Sequence, residues 1–427
     1  MSAEPLTPYG AQRDTSPRLT EIAADSVLFR EASAPSSWTL PSVVSLMTGL
    51  HAAQHGVQSG GTGLAEDGPP TLAEALSAAG YDTVGFSQTF IAGSRFGLER
   101  GFREFFENNH LNGSALRSQE VRRQFITWYR GAHQPGRPIF SYMHTVDPHG
   151  PYSPVGPFAR FAEESPGALP EIAYRPVQFM MRGHGADPGE LAHIRARYDG
   201  EVAYTDDQFG RFISMLRLLD LYDDSMIIVT SDHGEEFGEH GGFDHGRTLY
   251  EEVLHVPLIV KLPGSLHRGA AVDLPVSLVD LAATVSYTAG IAAGGSGTQI
   301  PGTPLPLVGG SPPERQSVVV AEVHPTRSAE QAEVHYRSFS RGSLKCIENL
   351  LGVDRFASPA TRIEVYDLVV DPREQQPLDP TDPRFAECHG ELVRWFREVA
   401  TGAASEAPGA PIDSDVRELL RAVGYVE

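Results

Sequence analysis

The stretch from Met226 to Glu252, MIIVTSDHGEEFGEHGGFDHGRTLYEE, constrains this chain more than any other. It opens on a short apolar, β-branched run, Met226 to Val229, which reads as a buried parallel strand. Thr230-Ser231 ends the strand and delivers Asp232, His233 and Gly234 to a turn, and Glu235, Glu236, Glu239, His240, Asp244 and His245 follow. Open α/β sheets bind ligands outside the carboxyl ends of their strands. Carboxylates and imidazoles leaving such an end together suit a divalent cation. A solvated acidic loop explains the stretch less well, because Asp-His-Gly at a strand end is not ordinary turn chemistry.

Elsewhere strands and helices alternate. Helices are expected over Arg18–Ala24, Thr71–Ala79 (closed by Gly80), Ser118–Tyr129, Pro188–Leu219 and Val276–Ala289. Strands are expected over Val27–Arg30, Asp82–Phe86, Pro138–Met143 and Pro257–Lys261. Such alternation implies an α/β fold, a mostly parallel sheet sandwiched by helices. Pro41 reads as the first-turn proline of a helix over Ser42–Met47. That puts Thr39 at the helix N-terminus, where unpaired N–H groups favour an anion; threonine is also a favoured cap in its own right. Phe158 to Asp187 is rich in proline and glycine and reads as an insertion or lid. After about Ile291 the composition turns linker-like. Strands at Ser317–Val323, Glu333–Phe339 and Glu364–Leu368 and a helix at Glu391–Val399 then suggest a smaller antiparallel unit. The expected division is 1–295, 296–400, and a tail 401–427 carrying an amphipathic helix, Asp415–Val423.

The totals exclude several classes. No apolar run reaches the roughly 18 residues of a membrane span. A formal charge of -21 argues against nucleic acid or an anionic membrane as partner. It also means that an anionic substrate needs a metal or a local cation. The two cysteines, Cys346 and Cys388, define neither a disulfide framework nor a zinc set and read as free buried thiols. Of 16 histidines, His144 and His149 cluster after one expected strand and His233, His240, His245 and His255 after another.

Four segments, SWTLPSVVSLMTGL, HTVDPHGPY, YDGEVAYTDDQFG and SDHGEEFGEHGGFDHGRTLYEEVLHVPLIV, resemble in order the sulfatase family of the alkaline-phosphatase superfamily. PVSLVDLAATV and VYDLVVDPREQQPL extend the resemblance through a small C-terminal α+β subdomain. The resemblance implies that Asp232 and His233 are metal ligands and that Thr39 holds the place of the nucleophile, itself beside the metal. His149 matches a histidine that contacts the ester or leaving-group oxygen. His245 falls where many relatives have a lysine that holds the anion. His144 and Asp147 are expected in supporting roles, Glu235, Glu236 and His240 as organisers of the loop, and Tyr198, Glu201 and Asp206 as orienting groups on the long helix. Ser42 and Arg247 complete the substrate-facing or supporting candidates. The metal implied by the family is calcium, while the histidines tilt toward zinc or manganese. The partner is a small anionic ester; oligomeric state is not legible.

Two departures from the family matter. True sulfatases convert a Cys or Ser within C/S-x-P-x-R to formylglycine. This chain reads Thr39-Leu40-Pro41-Ser42-Val43, so no formylglycine is expected. A threonine sulfo-ester would need a second attack at sulfur, whereas phosphorus tolerates double displacement, so the chemistry leans toward phosphate esters. Relatives also begin with an apolar strand ending in a metal-binding aspartate, and this strand does not precede LTPYGAQRDTSP here. The expectation is an N-terminally incomplete chain rather than a pseudoenzyme. With no signal peptide at Met1, a periplasmic or secreted location rests on that incompleteness. The function expected is a metal-dependent hydrolase of sulfate or phosphate esters with a threonine nucleophile. Alternatives are a phosphodiesterase or phosphoryl-headgroup transferase of the same superfamily and, in another class, an anion-binding protein without turnover.

Overall fold

The computed structural model describes residues 1–107, 118–163, 188–291, 300–306, 318–324, 335–350, 362–402 and 410–411. In chain order the first elements are α1 (Pro17–Ala23), β1 (Val27–Ser33), α2 (Thr39–Thr48), α3 (Leu72–Ala78), β2 (Asp82–Ser87) and β3 (Glu104–Glu107). Then come α4 (Ser118–Gly131), β4 (Ile139–His144), α5 (Pro188–Leu218), β5 (Ile227–Thr230), α6 (Glu251–Leu254) and β6 (His255–Lys261). β7 (Ala270–Val272), β8 (Val276–Ser277) and α7 (Asp280–Thr288) close the larger part. β9 (Val318–Val323), β10 (Tyr336–Arg341), β11 (Leu344–Asn349), β12 (Ile363–Asp367) and α8 (Pro383–Gly402) form the smaller one.

Local chemistry explains several boundaries. Thr71 and Glu74 form a reciprocal capping box at the start of α3. Gly80, at φ 92°, supplies the left-handed turn beyond its end. At α1 the exposed donors of the first turn are satisfied from another element, since Asp206 of α5 accepts the N–H groups of Arg18 and Leu19. β6 reads HVPLIVK and is buried at every residue after His255. The one charge in that run, Lys261, spends its ammonium on the carbonyls of Tyr222, Asp223 and Ser225.

The α/β class holds, with strands in three main sheets. β7-β1-β6-β5 lie side by side, with β8 joining the end of β1. β3-β2-β4 is wholly parallel, and β9-β10-β11-β12 is the antiparallel sheet of the C-terminal part. The expectation of a parallel strand at Met226–Val229 is corrected. β5 runs antiparallel to β6, Ile228 opposite Val260. The segment joining the two contains a single turn of helix, α6, and a parallel return needs a crossover long enough to bring the chain back to the starting edge. Among the described residues β4 pairs only with β2 and β5 only with β6, and both strands are half-buried along their length.

Part of the expected linker is packed. Leu305 is buried, its N–H donates to Thr284 Oγ1, and a side chain at Gly49 would meet the Pro301 carbonyl at 2.3 Å. One apolar core runs from β1, α2 and β6 into Ala321, Val323, Tyr336, Ile347 and Tyr366 of the smaller part. The lid from residue 164 onward, most of the linker and the helix Asp415–Val423 lie outside the described residues.

Candidate active site

α2 brings the first reactive group. Its N-cap is Trp38, in extended conformation, so Thr39 is the first helical residue and its hydroxyl does not cap. Instead Thr39 Oγ1 lies 3.2 Å from His233 Nε2, with both residues buried. His233 follows the carboxyl end of β5, and its Nδ1 donates to the Gly234 carbonyl at 2.8 Å. That bond fixes the tautomer and leaves the Nε2 lone pair facing Thr39. Burial, with His245 and the Met1 ammonium adding to it, holds the His233 pKa down at about 3 despite Asp232, so the ring is neutral.

Asp232 sits beside it, Oδ2 at 3.5 Å from His233 Nε2. Burial opposes its ionisation, but His233, His144, the Met1 ammonium and the Thr39 hydroxyl outweigh burial and keep it well below the usual carboxylate range. Asp232 Oδ2 is buried with no hydrogen bond of good geometry. The Met1 nitrogen lies nearby, donating to Ser231 Oγ at 2.6 Å and to the His233 carbonyl, and burial lowers its pKa. An under-satisfied carboxylate oxygen, a neutral imidazole with its lone pair inward and a hydroxyl are donors of the types a divalent metal takes. The residues therefore fit part of a metal shell, with Asp232, His233 and Thr39 as its contribution.

The loop after Asp232 closes over this point and is tied at both ends. Gly234 and Glu235 donate their N–H groups to the carbonyls of Val253 and Glu252, and a Cβ on Gly234 would lie 2.1 Å from the Glu252 oxygen. At the far end Gly246 N–H donates to the Ser37 carbonyl, just before the helix that carries Thr39. Between them His245 Nδ1 is 2.9 Å from Glu235 Oε1 and 2.9 Å from Asp244 Oδ1. Tyr152 OH donates to the other Glu235 oxygen at 2.8 Å. With Nδ1 held by carboxylates, Nε2 is on the opposite edge of the ring. The His245 ring lies 4.2 Å from that of His233 and 5.1 Å from that of His149, centroid to centroid. His149 Nδ1 in turn faces the Gly150 carbonyl at 2.8 Å. Burial opposes ionisation of Asp244, but His245, Arg247 and His149 hold its pKa at about 2.

Thr39, Asp232, His233, His245, His149 and Glu235 are thus gathered as the sequence suggests. His144 is next to them, its Nδ1 3.1 Å from Tyr142 OH, and burial lowers its pKa. Arg247 lies within electrostatic reach of Asp244 and Glu236. Ser42 donates its hydroxyl to the Ser36 carbonyl and so shapes the turn into α2. Three candidates serve elsewhere. Asp147 accepts the Ser118 N–H and hydroxyl at the start of α4. Asp206 caps α1, and burial raises its pKa to about 6. His240 turns to Glu252 and to the carbonyl of Glu374 in the C-terminal part. Of the helix residues, Tyr198 packs on Tyr152 and Glu201 accepts the Ser153 N–H, so both support the His149 segment. Sequence reasoning missed Tyr152 and named Asp244 only among the acidic groups after the strand, not as a partner of His245.

Among the described residues two further groups offer three ligand atoms close together, Glu235–Asp244–His245 and Glu236–His240–Glu252. In the second, both imidazole nitrogens of His240 are already engaged within the protein, Nδ1 by Glu252 and Nε2 by the Glu374 carbonyl and the Gln375 amide.

The family model described as Sulfatase matches residues 1–291, and the model described as N-sulphoglucosamine sulphohydrolase, C-terminal, matches 238–400. The multifunctional alkaline phosphatase superfamily protein PehA of Trinickia caryophylli is 30% identical over 172 residues, covering 35% of this chain and 33% of its own length. Arylsulfatase K of Danio rerio is 35% identical over 154 residues, covering 36% of this chain and 27% of its own. The matched region thus spans a third or less of either relative. In fold the chain resembles the phosphonate monoester hydrolase of Agrobacterium radiobacter, with a TM-score of 0.72 at 20% identity over 94% of each chain. A family model covering well over half of the sequence, a matching fold and the strand-end Asp232–His233 pair facing Thr39 agree: the chain belongs to the sulfatase family.

Proposed function

We propose that this protein is a metal-dependent hydrolase of sulfate or phosphate esters in which Thr39 is the nucleophile. The observation that carries this reading is the buried contact between Thr39 Oγ1 and His233 Nε2, 3.2 Å, beside an ionised Asp232. A cap would have spent the Thr39 oxygen on its own helix; here the oxygen faces the group of donors.

Asp232, His233 and Thr39 would hold a divalent cation, which when bound supplies Lewis-acid polarisation of the ester oxygens. The protein's own residues do the rest. Thr39 Oγ1, its proton released to solvent, attacks phosphorus or sulfur in line and breaks the bond to the alcohol or phenol, and water cleaves the resulting threonyl ester in a second displacement that restores the hydroxyl. Water attack at that atom is easier at phosphorus than at sulfur, which favours phosphate monoesters and diesters among the candidates. Glu235 and Asp244 hold His245 by Nδ1, so that its opposite Nε2 edge would hand a proton to the leaving oxygen, with the His149 ring adjoining. The Tyr152 hydroxyl fixes Glu235 in turn.

One observation favours a second reading, an anion-binding protein without turnover. Among the described residues the three-ligand groups do not include Asp232 and His233, whose shell needs further donors. Both readings meet the same experiment. Purified protein is assayed with aryl phosphate, aryl phosphodiester and aryl sulfate, alongside metal analysis. Turnover abolished by Thr39→Ala and Asp232→Asn, with roughly stoichiometric metal in the wild type, supports the hydrolase. Anion binding without turnover in the wild type supports the second.

A further inference from the structure

The loop from Asp232 to Arg247 has a second anchor that the chemistry above does not use. His240 stands at its outer turn, between Gly238 and Gly241, both at positive φ. Its Nδ1 is 2.5 Å from Glu252 Oε1 and its Nε2 is 2.9 Å from the Glu374 carbonyl. The Glu252 carboxylate and the Glu374 carbonyl can only accept, and although the Gln375 amide nitrogen also lies 3.2 Å from Nε2, the two acceptors favour the imidazolium, in which both ring nitrogens donate. It stacks on Tyr250 at 3.6 Å, the two rings nearly parallel, and Tyr250 OH donates to Glu364 of β12. The Gln375 amide reaches the Glu239 carbonyl at 3.3 Å. Behind Glu374, Lys345 of β11 bridges Glu374 and Glu251, both within 2.8 Å, and Glu251 N–H donates to Glu374 Oε2. On the inner side Glu236 accepts from the N–H groups of His240 and Gly242 and from the Thr248 hydroxyl.

We infer that His240 is a positioning residue through which the C-terminal part holds the loop bearing His233, Glu235 and His245 in register with Thr39. On the inner side the loop is tied by the Gly234–Val253, Glu235–Glu252 and Gly246–Ser37 backbone bonds and by pairing of Glu236–Phe237 with Phe243–Asp244, and the clamp holds the outer turn between them. Glu235 and Glu236 are consecutive, so the outer anchor on Glu236 sets the backbone that aims Glu235 at His245. The role of this register in turnover rests on the hydrolase reading; the clamp itself does not.

The charged groups facing His240 are Glu252 on α6, Glu236 and Glu239 on its own loop, and Glu374 beyond β12. Burial lowers the His240 pKa, but Glu252 and the Glu374 carbonyl more than reverse this and raise it to about 9. A raised histidine keeps its charge below that value and loses it above, so the clamp is intact at neutral pH and opens on the alkaline side. Glu236 and Glu374, both raised to about 7 by burial, give up their protons earlier.

The test compares full-length wild type with His240→Gln, which keeps one donor and loses the charge, and with the milder Gln375→Ala. Amide exchange of residues 232–247 is measured at neutral pH, and ester turnover is followed across pH. The expected result is faster exchange confined to this loop in both variants. Turnover in His240→Gln is expected to drop on the order of 10²-fold, as for a misplaced catalytic group, mainly in kcat. The wild-type fall in rate near pH 9 is absent from that variant. Loop exchange unchanged in both variants, or an alkaline limb retained in His240→Gln, overturns the inference. If wild type turns over no ester, the hydrolase reading fails, and the exchange measurement still decides the clamp. If His240→Gln does not fold, Gln375→Ala carries the same comparison.

Discussion

Two adjacent glutamates on one loop each meet a histidine, and they do opposite things. Glu235 and Asp244 hold His245 Nδ1, leaving the ring wedged between His233 and His149 beside Thr39. Glu236 and Glu252 flank His240, whose second nitrogen is taken by the Glu374 carbonyl. The residue types are the same for the two pairs, although Glu235 stands ten residues before His245 and Glu236 four before His240. The difference is that one histidine packs against the rings of His233 and His149, while the other is held between Glu252 and the C-terminal part. Chemistry and anchoring are thus separated by a single step along an extended backbone, where successive side chains take opposite sides.

The comparison is best attacked through variants, starting with the largest expected effect. Thr39→Ala should lower turnover on the order of 10⁴-fold or more, with folding intact by circular dichroism. His245→Gln should cost roughly 10²–10⁴-fold in kcat, with the larger loss on substrates with poor leaving groups. An equal loss from His240→Gln on every leaving group would mark the second histidine as a positioning group, as the comparison requires.

Lys345→Met leaves Glu251 and Glu374 buried without their cation and should destabilise by about 3–5 kcal/mol in denaturant melts. The pH dependence of stability has a definite sign. Glu236 and Glu374 titrate at about 7 and His240 at about 9 in the folded protein, all above their ordinary values. What their bound protons contribute is present at pH 4.5 for the glutamates and 6.5 for the histidine, and is lost as pH rises through 7 and then 9. The melting temperature should therefore fall from pH 5 to pH 9, and Glu236→Gln should flatten the lower part of that fall. The smallest effect is expected for Asp147→Ala, about 1 kcal/mol from a lost helix cap, with KM unchanged.

The sequence exposed the residues of the site better than their division of labour. Thr39, His149, Asp232, His233 and His245 stand in recognisable motifs, and the fold class follows from alternating strands and helices. Asp147 and Asp206 bind the starts of α4 and α1, and a carboxylate that caps a distant helix has the same letter as one that orients a catalyst. His240 was placed with the loop, but its partner Glu374 lies more than a hundred residues away, and no local pattern announces that meeting. The antiparallel run of β5 was hidden because a short buried strand looks alike in either direction. Tyr152 stood in plain view within HTVDPHGPY, but only the folded chain shows its hydroxyl on Glu235.

The apolar core that joins β1, α2 and β6 to Ala321, Val323, Tyr336, Ile347 and Tyr366 has a practical consequence. Leu305 and the Pro301 carbonyl strap the connecting segment onto α7 and Gly49. Severing the chain near residue 310 should leave the two fragments bound to each other. Expressing either fragment by itself would lay open the surface they share, and an apolar face of that kind invites precipitation.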